Sequence, residues 1–378
     1  MMAETMEKRA LIAMSGGVDS SVAAYLMQRQ GYACEGVNLQ LYRNTDIGLA
    51  CHKSCCTAQD QADAADAAFR LGMPFEVLDY QGLFRELVME DFVRSYEAGR
   101  TPNPCIQCNR YMKFDYLLDY ALDQGFDCLV SGHYARNEWN EDTGRWELKK
   151  ALDESKDQTY VLYMLTQRQL SHLRFPLGQY RKTETRRIAA ELGLVTAAKP
   201  DSQDICFVPD GDYTAFLERY TGKRYPDGDF LDLAGKKLGR HRGAVRYTVG
   251  QRRGLELPMG SRVYVVSKNM ENNTVTVGPE SALYSDSLIA AGMNWISIPE
   301  LTEPLRVTAR TRYRQAEQAA TAYPMSGGRM RLIFDQPQRA VTPGQAVVLY
   351  DGERVVGGGT IQSAEKKKKA VDKGGAQC

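Results

Sequence analysis

The chain has 378 residues, 43% hydrophobic and 25% charged, with a formal net charge of +1. That length exceeds one ordinary core, so two or three domains of a soluble globular kind are expected. No apolar run approaches the roughly 18 residues that span a membrane. The start, Met1 to Lys8, lacks the basic-then-apolar order of a signal peptide, so a cytoplasmic location with no membrane partner is expected.

In chain order, Ala10–Met14 is a short apolar run and reads as a buried strand. Ser20 to Gln30 carries helix formers and stops before Gly31, a C-terminal cap. Tyr32 to Leu41 reads as a strand, Thr57 to Leu71 as an Ala-rich helix, and Phe75 to Leu78 as a strand. Gln81 to Ala98 and Arg110 to Gln124 read as helices, followed by a strand at Cys128–Val130. Strands alternating with helices predict a parallel α/β sheet, whose sites lie at the strands' carboxyl ends. From about Arg224 the pattern changes to short β-rich segments, such as 263–266, 274–277 and 346–350, separated by Gly and Pro turns. These predict one or two small β domains, barrel-like in character.

Nine cysteines is an odd count, and Cys55 and Cys56 are adjacent. A secreted disulfide framework is therefore not expected; thiol chemistry or metal binding in a reducing compartment fits better. Cys105 and Cys108 form Cys-X-X-Cys, and Cys51, Cys55 and Cys56 form a second cluster. Such thiols have the makings of a metal or iron–sulfur site, but no complete four-ligand pattern is visible and no metal ligands are predicted. Between Gly235 and Gly254 lie Lys236, Lys237, Arg240, Arg242, Arg246, Arg252 and Arg253 with no acidic residue. This stretch reads either as a track for a phosphate backbone or as a solvated strand face.

The segment Ser15-Gly16-Gly17-Val18-Asp19-Ser20 joins the first strand to the first helix. Glycines let the backbone approach an anion, the helix start supplies N–H groups, and Ser15 and Ser20 add hydroxyls. Asp19 would repel phosphate unless a Mg²⁺ lies between them. The plainer alternative is a tight turn in which Asp19 or Ser20 is the N-cap. No Gly-Lys-Ser/Thr follows, so this is not a Walker A loop.

The loop resembles that of the PP-loop ATP pyrophosphatases, which bind the pyrophosphate portion of ATP and transfer AMP to an acceptor oxygen. The segments 103–109, 131–136, 156–158, 201–207, 247–255 and 341–345 follow in order. Together they resemble the bacterial tRNA-specific 2-thiouridylases, over about Arg9 to Gly359. The resemblance implies a PP-loop nucleotide-binding domain at 1–215, a small central tRNA-contacting domain at 216–285, a C-terminal β-barrel domain at 286–362 and a disordered tail at 363–378. It implies that ATP with Mg²⁺ adenylates the C2 oxygen of the wobble uridine, and that a cysteine persulfide then supplies sulfur.

By the same resemblance Cys108 is the nucleophilic cysteine and Cys206 the persulfide carrier, on a segment expected to be mobile. Ala13, Met14, Ser15, Gly16, Gly17, Val18, Asp19, Ser20, Leu39 and Gly132 are implied to meet the nucleotide. Asn103, Pro104 and Cys105 are implied to meet the target base. His133, Lys156, Asp157, Gln158, Arg312, Tyr313 and Gln345 are implied to meet tRNA. Without it, each cysteine reads first as a buried structural thiol, Leu39 equally as core, and Arg312-Tyr313 as surface strand. Ser155 to Gln158 also fits a helix capping box, a structural account of Gln158. The implied partners are tRNAs reading Lys, Glu and Gln codons and a sulfur relay fed by a cysteine desulfurase. Two rivals are a PP-loop ligase acting on a small metabolite and a non-catalytic RNA-binding or sulfur-carrying protein. The first leaves both cysteines without roles, and the intact loop opposes the second.

Overall fold

The computed structural model describes residues 7–48, 56–201, 204–258 and 260–366, with only the backbone given for Cys56 and Thr57. The first apolar run is β1 (Arg9–Ala13), in which Ala10, Leu11 and Ile12 are fully buried. Burial on both faces is why the run is continuous rather than alternating. It leads into α1 (Val18–Arg29), then β2 (Ala33–Gln40), α2 (Cys56–Arg70) and β3 (Phe75–Asp79). Gly31, just past α1, adopts φ +83°, the left-handed conformation that closes a helix. With β4 (Cys128–Ser131) and a short strand at Leu173–Arg174, these build a five-stranded parallel sheet of order β3-β2-β1-β4-(173–174). The carboxyl ends of β1, β2 and β4 thus lie side by side.

The two long helices expected over 81–98 and 110–124 form with a difference. The first is interrupted by a π-helical stretch at Arg85–Met89. The second begins earlier, at Pro104, and is π-helical from Cys108 to Tyr116 before closing as α-helix over Leu117–Asp123. A proline at the first helical position explains the earlier start, because its missing N–H has no partner to lose there. Sequence pattern gave no warning of the helices Lys182–Glu191 and Tyr213–Thr221. It also missed the hairpin β5 (Arg136–Asn140) and β6 (Arg145–Lys149), pinned by the cross-strand pair Trp139–Trp146.

The β-rich half forms two bodies. Strands 228–231, 237–241, 264–269 and 274–278 make a four-stranded sheet around Phe230, Val265, Val275 and Val277. Six strands between Tyr284 and Glu365 pair antiparallel, and the first also pairs with the last, which closes a barrel. Its sheet continues outward through Arg354↔Lys149 onto β6 and β5, so the α/β part and the barrel share one sheet. The tail expected to be disordered from 363 instead continues as strand through Glu365. Ser363, Ala364 and Glu365 pair with Ile289, Leu288 and Ser287, which satisfies their backbone groups. Residues 367–378 lie outside the described residues. No helix among the described residues is long and apolar enough to cross a membrane.

Candidate functional site

Residues Met14–Gly17 turn the chain from β1 into α1. Gly17 is the N-cap and Val18 the first helical residue, so neither Asp19 nor Ser20 caps the helix. No side chain caps α1, which leaves first-turn N–H groups for an incoming anion. The turn is braced from inside. The Ser15 N–H donates to Ser20 Oγ at 3.2 Å, and the Ser20 hydroxyl donates to the Gly17 carbonyl at 3.2 Å. Ser20 is therefore engaged in shaping the loop, and of the two expected hydroxyl donors only Ser15 is exposed. Asn38, on β2, donates to the Met14 carbonyl at 2.7 Å. Ala13 ends β1, and Leu39 is partly buried beside the same strand ends.

Two glycines have no room for a side chain. Gly16 has φ +71°, and a Cβ there would sit 2.0 Å from the Asp60 carbonyl oxygen. A Cβ on Gly132, just past β4, would lie 2.7 Å from Ser20 N and 2.8 Å from the Asp19 carbonyl carbon. Gly132 thus forms the opposite wall against the start of α1.

Asp19 is not free to hold a metal. Both its oxygens accept from Lys182 Nζ at 2.7 Å, and Tyr134 OH donates to it at 3.0 Å. Lys182 also pairs with Asp201 at 2.8 Å, which Lys156 (2.9 Å) and Arg186 (3.0 Å) reach as well. Burial alone would raise the Asp201 carboxyl, but hydrogen bonds from Lys156 and Lys182 outweigh it and hold the group at about 2. Lys199 donates to the Gly16 carbonyl at 3.0 Å and pairs with Asp60 and Asp63. The stretch leading to Cys206 is therefore bound at two points to the nucleotide loop.

The chain brings Cys108 and Cys206 together despite their distance in sequence. Cys206 feels the charges of both Cys108 and Cys105, and all three feel Lys113. Burial is the largest influence on each thiol and raises it, Cys108 to about 11. Cys105 and Cys206 nonetheless keep an open face to solvent. Exposure decides whether a partner can reach a thiol, whereas the protein packed behind it decides how readily it ionises. The chain around Cys206, expected to be a mobile segment, makes packed contacts in this structure. Its carbonyl accepts from Tyr42 OH at 2.6 Å, and Phe207 and Val208 are buried among Phe84, Phe92 and Phe216. Ser202 and Gln203 lie outside the described residues, as do Cys51 and Cys55 and the side chain of Cys56. No group of three His, Cys, Asp or Glu side chains among the described residues is placed to hold a metal ion.

The remaining sequence-derived positions divide into exposed and buried. The Asn103 side chain accepts from Cys105 N at 3.1 Å, capping the short helix in which Pro104 is buried. Lys156 is partly exposed, and Tyr313 is exposed beside the buried Tyr160 ring at 5.9 Å, in a turn rather than on a strand. Tyr313 lies close enough to Cys105 for the thiolate to raise its hydroxyl, though burial and Asp157 contribute more. His133 is buried between Phe114 and Phe175, with Nδ1 2.6 Å from Ser131 Oγ. Burial first, and the Lys113 charge second, push its pKa well below the usual value, so the ring is neutral. Asp157 is also buried and bonded to Thr159, Ala151 and Arg310. The capping box expected over Ser155–Gln158 does not form. Asp153 caps that short turn instead, and the Gln158 side chain accepts from Tyr134 N at 2.9 Å. Arg312 donates to the Ala340 carbonyl at 2.6 Å. Gln345 donates to the Thr101 carbonyl at 2.7 Å, which ties the barrel to the loop carrying Asn103.

The basic stretch is less free than its composition suggests. Lys237 pairs with Asp229, Arg242 with Glu256 and Arg246 with Glu218, all acids from outside the 235–254 segment. Lys236, Arg240, Arg252 and Arg253 have no ion pair among the described residues.

Three family profiles cover almost the whole chain. They are described as the tRNA methyl transferase HUP domain (residues 8–210), its PRC-barrel domain (214–279) and the aminomethyltransferase β-barrel domain (285–361). The tRNA-specific 2-thiouridylase MnmA of Acetivibrio thermocellus is 48% identical over 357 residues, covering 94% of this chain and 99% of its own length. The proteins of the same name from Desulforamulus reducens and Clostridioides difficile are 47% and 45% identical, covering 96% and 95% of this chain and 99% of theirs. The chain belongs to the tRNA-specific 2-thiouridylase family. A solved 4-thiouridine synthetase–RNA complex with bound ATP aligns over 57% of this chain and 50% of its own at 15% identity, with a TM-score of 0.35, too distant to bear on function.

Sequence reasoning about this thiouridylase overlooked Lys182, Lys199 and Lys113. The first two lie in helix and loop stretches with no recognisable motif, and only the fold carries them to the nucleotide loop. Lys113 had a signal, five residues after Cys108, but that spacing means nothing until the helix is known to be π-helical.

Proposed function

We propose that this chain uses ATP to replace the C2 oxygen of the wobble uridine of tRNA with sulfur. The observation that carries the proposal is the meeting of Cys108 and Cys206 in a chain that also has an uncapped, glycine-lined turn at the ends of β1 and β4. The uridine C2 oxygen attacks the α-phosphorus of ATP, pyrophosphate leaves, and a poor leaving group becomes AMP. The outer sulfur of a Cys206 persulfide then reaches C2, and AMP departs. Cys108 attacks the inner persulfide sulfur, either before or after that attack, so that the turnover ends with a Cys108–Cys206 disulfide. An external dithiol, itself oxidised, restores both thiols. A thiolate or persulfide is a strong nucleophile near neutral pH, which suits this substitution.

Ser15, Gly16, Gly17, Val18 and Gly132 hold the polyphosphate, with Ala13, Met14 and Leu39 lining the nucleotide. Mg²⁺ fits this chain poorly as a protein-held ion, because Asp19 is committed to Lys182 and Tyr134. Asn103, Pro104 and Cys105 face the target base, with Lys156 and Tyr313 presenting open surface to RNA. The buried His133 and Asp157 and the partly buried Gln158 shape that surface from beneath. In this reading residues 1–215 carry the chemistry, while 216–285 and 286–362 grip the RNA through phosphates. The target base is turned out of its loop to reach the thiols. The substrates are cytoplasmic tRNAs reading Lys, Glu and Gln codons, and the sulfur arrives from a relay fed by a cysteine desulfurase.

Incubation with ATP, a persulfide donor and unmodified tRNA tests the proposal. AMP and a 2-thiolated nucleoside should appear together and require the RNA. AMP formation with a small acid and no RNA would overturn it in favour of a metabolite ligase.

A further inference from the structure

Lys113 has no place in the scheme above, yet it sits at the centre of the thiol site. It is half-buried, and no ion pair or hydrogen bond engages it among the described residues. The segment Cys108–Tyr116 is π-helical, and the Leu117 N–H at its end reaches back five residues to the Met112 carbonyl. In an ordinary α-helix a residue five positions along points about 140° away from the first. A π-turn, closed by i→i+5 bonds and holding roughly 4.4 residues, reduces that angle to about 50°. Lys113 therefore shares a face with Cys108, which a regular helix would deny it. That placement agrees with the electrostatics of the site, in which Cys105, Cys108, Cys206 and His133 all feel the Lys113 charge, second to burial or lower in each case.

We infer that Lys113 is a positioning residue for the sulfur chemistry, an unpaired cation that the π-helical turn aims at the two reactive cysteines to favour their anionic forms. The inference rests on the proposed thiolation for its purpose, though not for its test. The other groups facing these sulfurs give no such help. Cys105 and Cys206 are uncharged as thiols and repel a neighbouring thiolate once ionised, and His133 is neutral. The Tyr313 hydroxyl near Cys105 is raised and stays protonated. Lys113 is thus the one cation acting on all three thiols among the described residues. Its half-burial strengthens the attraction, since fewer waters screen it.

The test reads Cys108 directly. In a Cys105→Ser/Cys206→Ser background, the rate of Cys108 alkylation by iodoacetamide is followed against pH by peptide-resolved mass spectrometry. Lys113→Gln should shift the profile to higher pH and slow alkylation at pH 8 about tenfold. Lys113→Arg should keep the original profile, a rescue that lost packing would not give. If Lys113→Gln does not fold, as judged by its urea midpoint, Lys113→Met replaces it. An unchanged profile in a folded neutral variant overturns the inference. Alkylation needs neither ATP nor tRNA, so it stands or falls separately from the thiolation reaction. In the full chain with tRNA, Lys113→Gln should keep the tRNA-dependent burst of pyrophosphate and lose about tenfold in the rate of both AMP and thiolated nucleoside.

Discussion

Lys182→Met removes a cation held between two carboxylates. Lys182 is 7% exposed and lies 2.7 Å from Asp19 and 2.8 Å from Asp201. Breaking a fully buried pair costs about 3–5 kcal/mol. Both acids are here about a quarter to a third exposed, and each keeps another partner: Tyr134 on Asp19, and Lys156 and Arg186 on Asp201. Screening and these remaining contacts reduce the expected loss to about 1–2 kcal/mol at pH 7. The pH dependence follows from Asp201, whose folded carboxyl sits at about 2 against an ordinary 3.8. A depressed acid contributes its stability above the unfolded value and loses it as pH falls towards the folded one. The penalty of Lys182→Met should therefore shrink between pH 4 and pH 2, as Asp201 takes up its proton. Urea unfolding of the wild type, Lys182→Met, Asp201→Asn and the double variant measures the coupling, expected at about 1 kcal/mol. Additivity within about 0.5 kcal/mol, or a penalty that does not shrink in acid, would refute this account of the network.

The other expectations concern the site. Gly132→Ala places a methyl against the backbone of α1 and should weaken ATP binding at least tenfold by calorimetry, with a stability loss of about 1–3 kcal/mol; undiminished ATP affinity would show that this wall is not part of the nucleotide site. Cys206→Ser should abolish thiolated nucleoside and AMP release together while one tRNA-dependent equivalent of pyrophosphate still forms, so thiolated nucleoside made by this variant would separate Cys206 from sulfur transfer. Gln345→Ala loses the bond to the Thr101 carbonyl, worth about 0.5–1.5 kcal/mol. It should raise KM for tRNA more than KM for ATP in steady-state assays. Lys236→Glu and Arg240→Glu should each weaken tRNA binding and lower its salt dependence by about one unit of slope. Lys237→Glu, at a position already paired with Asp229, should alter that slope less.

The parallel sheet was legible because β1 and β4 have short apolar cores, Ala10–Ala13 and Cys128–Val130, and the nucleotide loop because its glycines mark a backbone with no room for side chains. Gly16 and Gly132 are needed for contacts 2.0 Å and 2.7 Å from a hypothetical Cβ, which composition cannot reveal. The barrel was legible as β-rich segments but not in its closure, since pairing of Tyr284–Trp295 with Arg354–Glu365 is a non-local event. The hairpin β5–β6 escaped notice because its alternating polar residues resemble a surface loop until the barrel sheet takes it in. Charge was the poorest guide. Lys182 and Lys199 looked like ordinary surface lysines, whereas the basic stretch looked free and is in part neutralised by Asp229, Glu256 and Glu218.

The barrel is tied directly to the loop that leads into the thiol site. Pro343 accepts from the Thr101 N–H at 3.0 Å, and Gln345 donates to the Thr101 carbonyl. Gly344, at φ +92°, approaches so closely that a Cβ would lie 2.8 Å from Arg100 Cβ. The loop gripped there runs two residues further to Asn103, whose side chain starts the helix carrying Cys105 and Cys108. From the other side, Tyr160 donates to the Ala346 carbonyl at 2.9 Å and packs against Tyr313, whose hydroxyl feels the Cys105 charge. Both routes converge on the helix that orients the thiols. RNA held on the barrel, as proposed, would therefore act on elements in direct contact with the loop and helix that set the position of Cys108. In the proposed reaction RNA affinity and thiol geometry therefore meet at the Thr101 and Tyr160 contacts, and a substitution that breaks either contact is expected to change both.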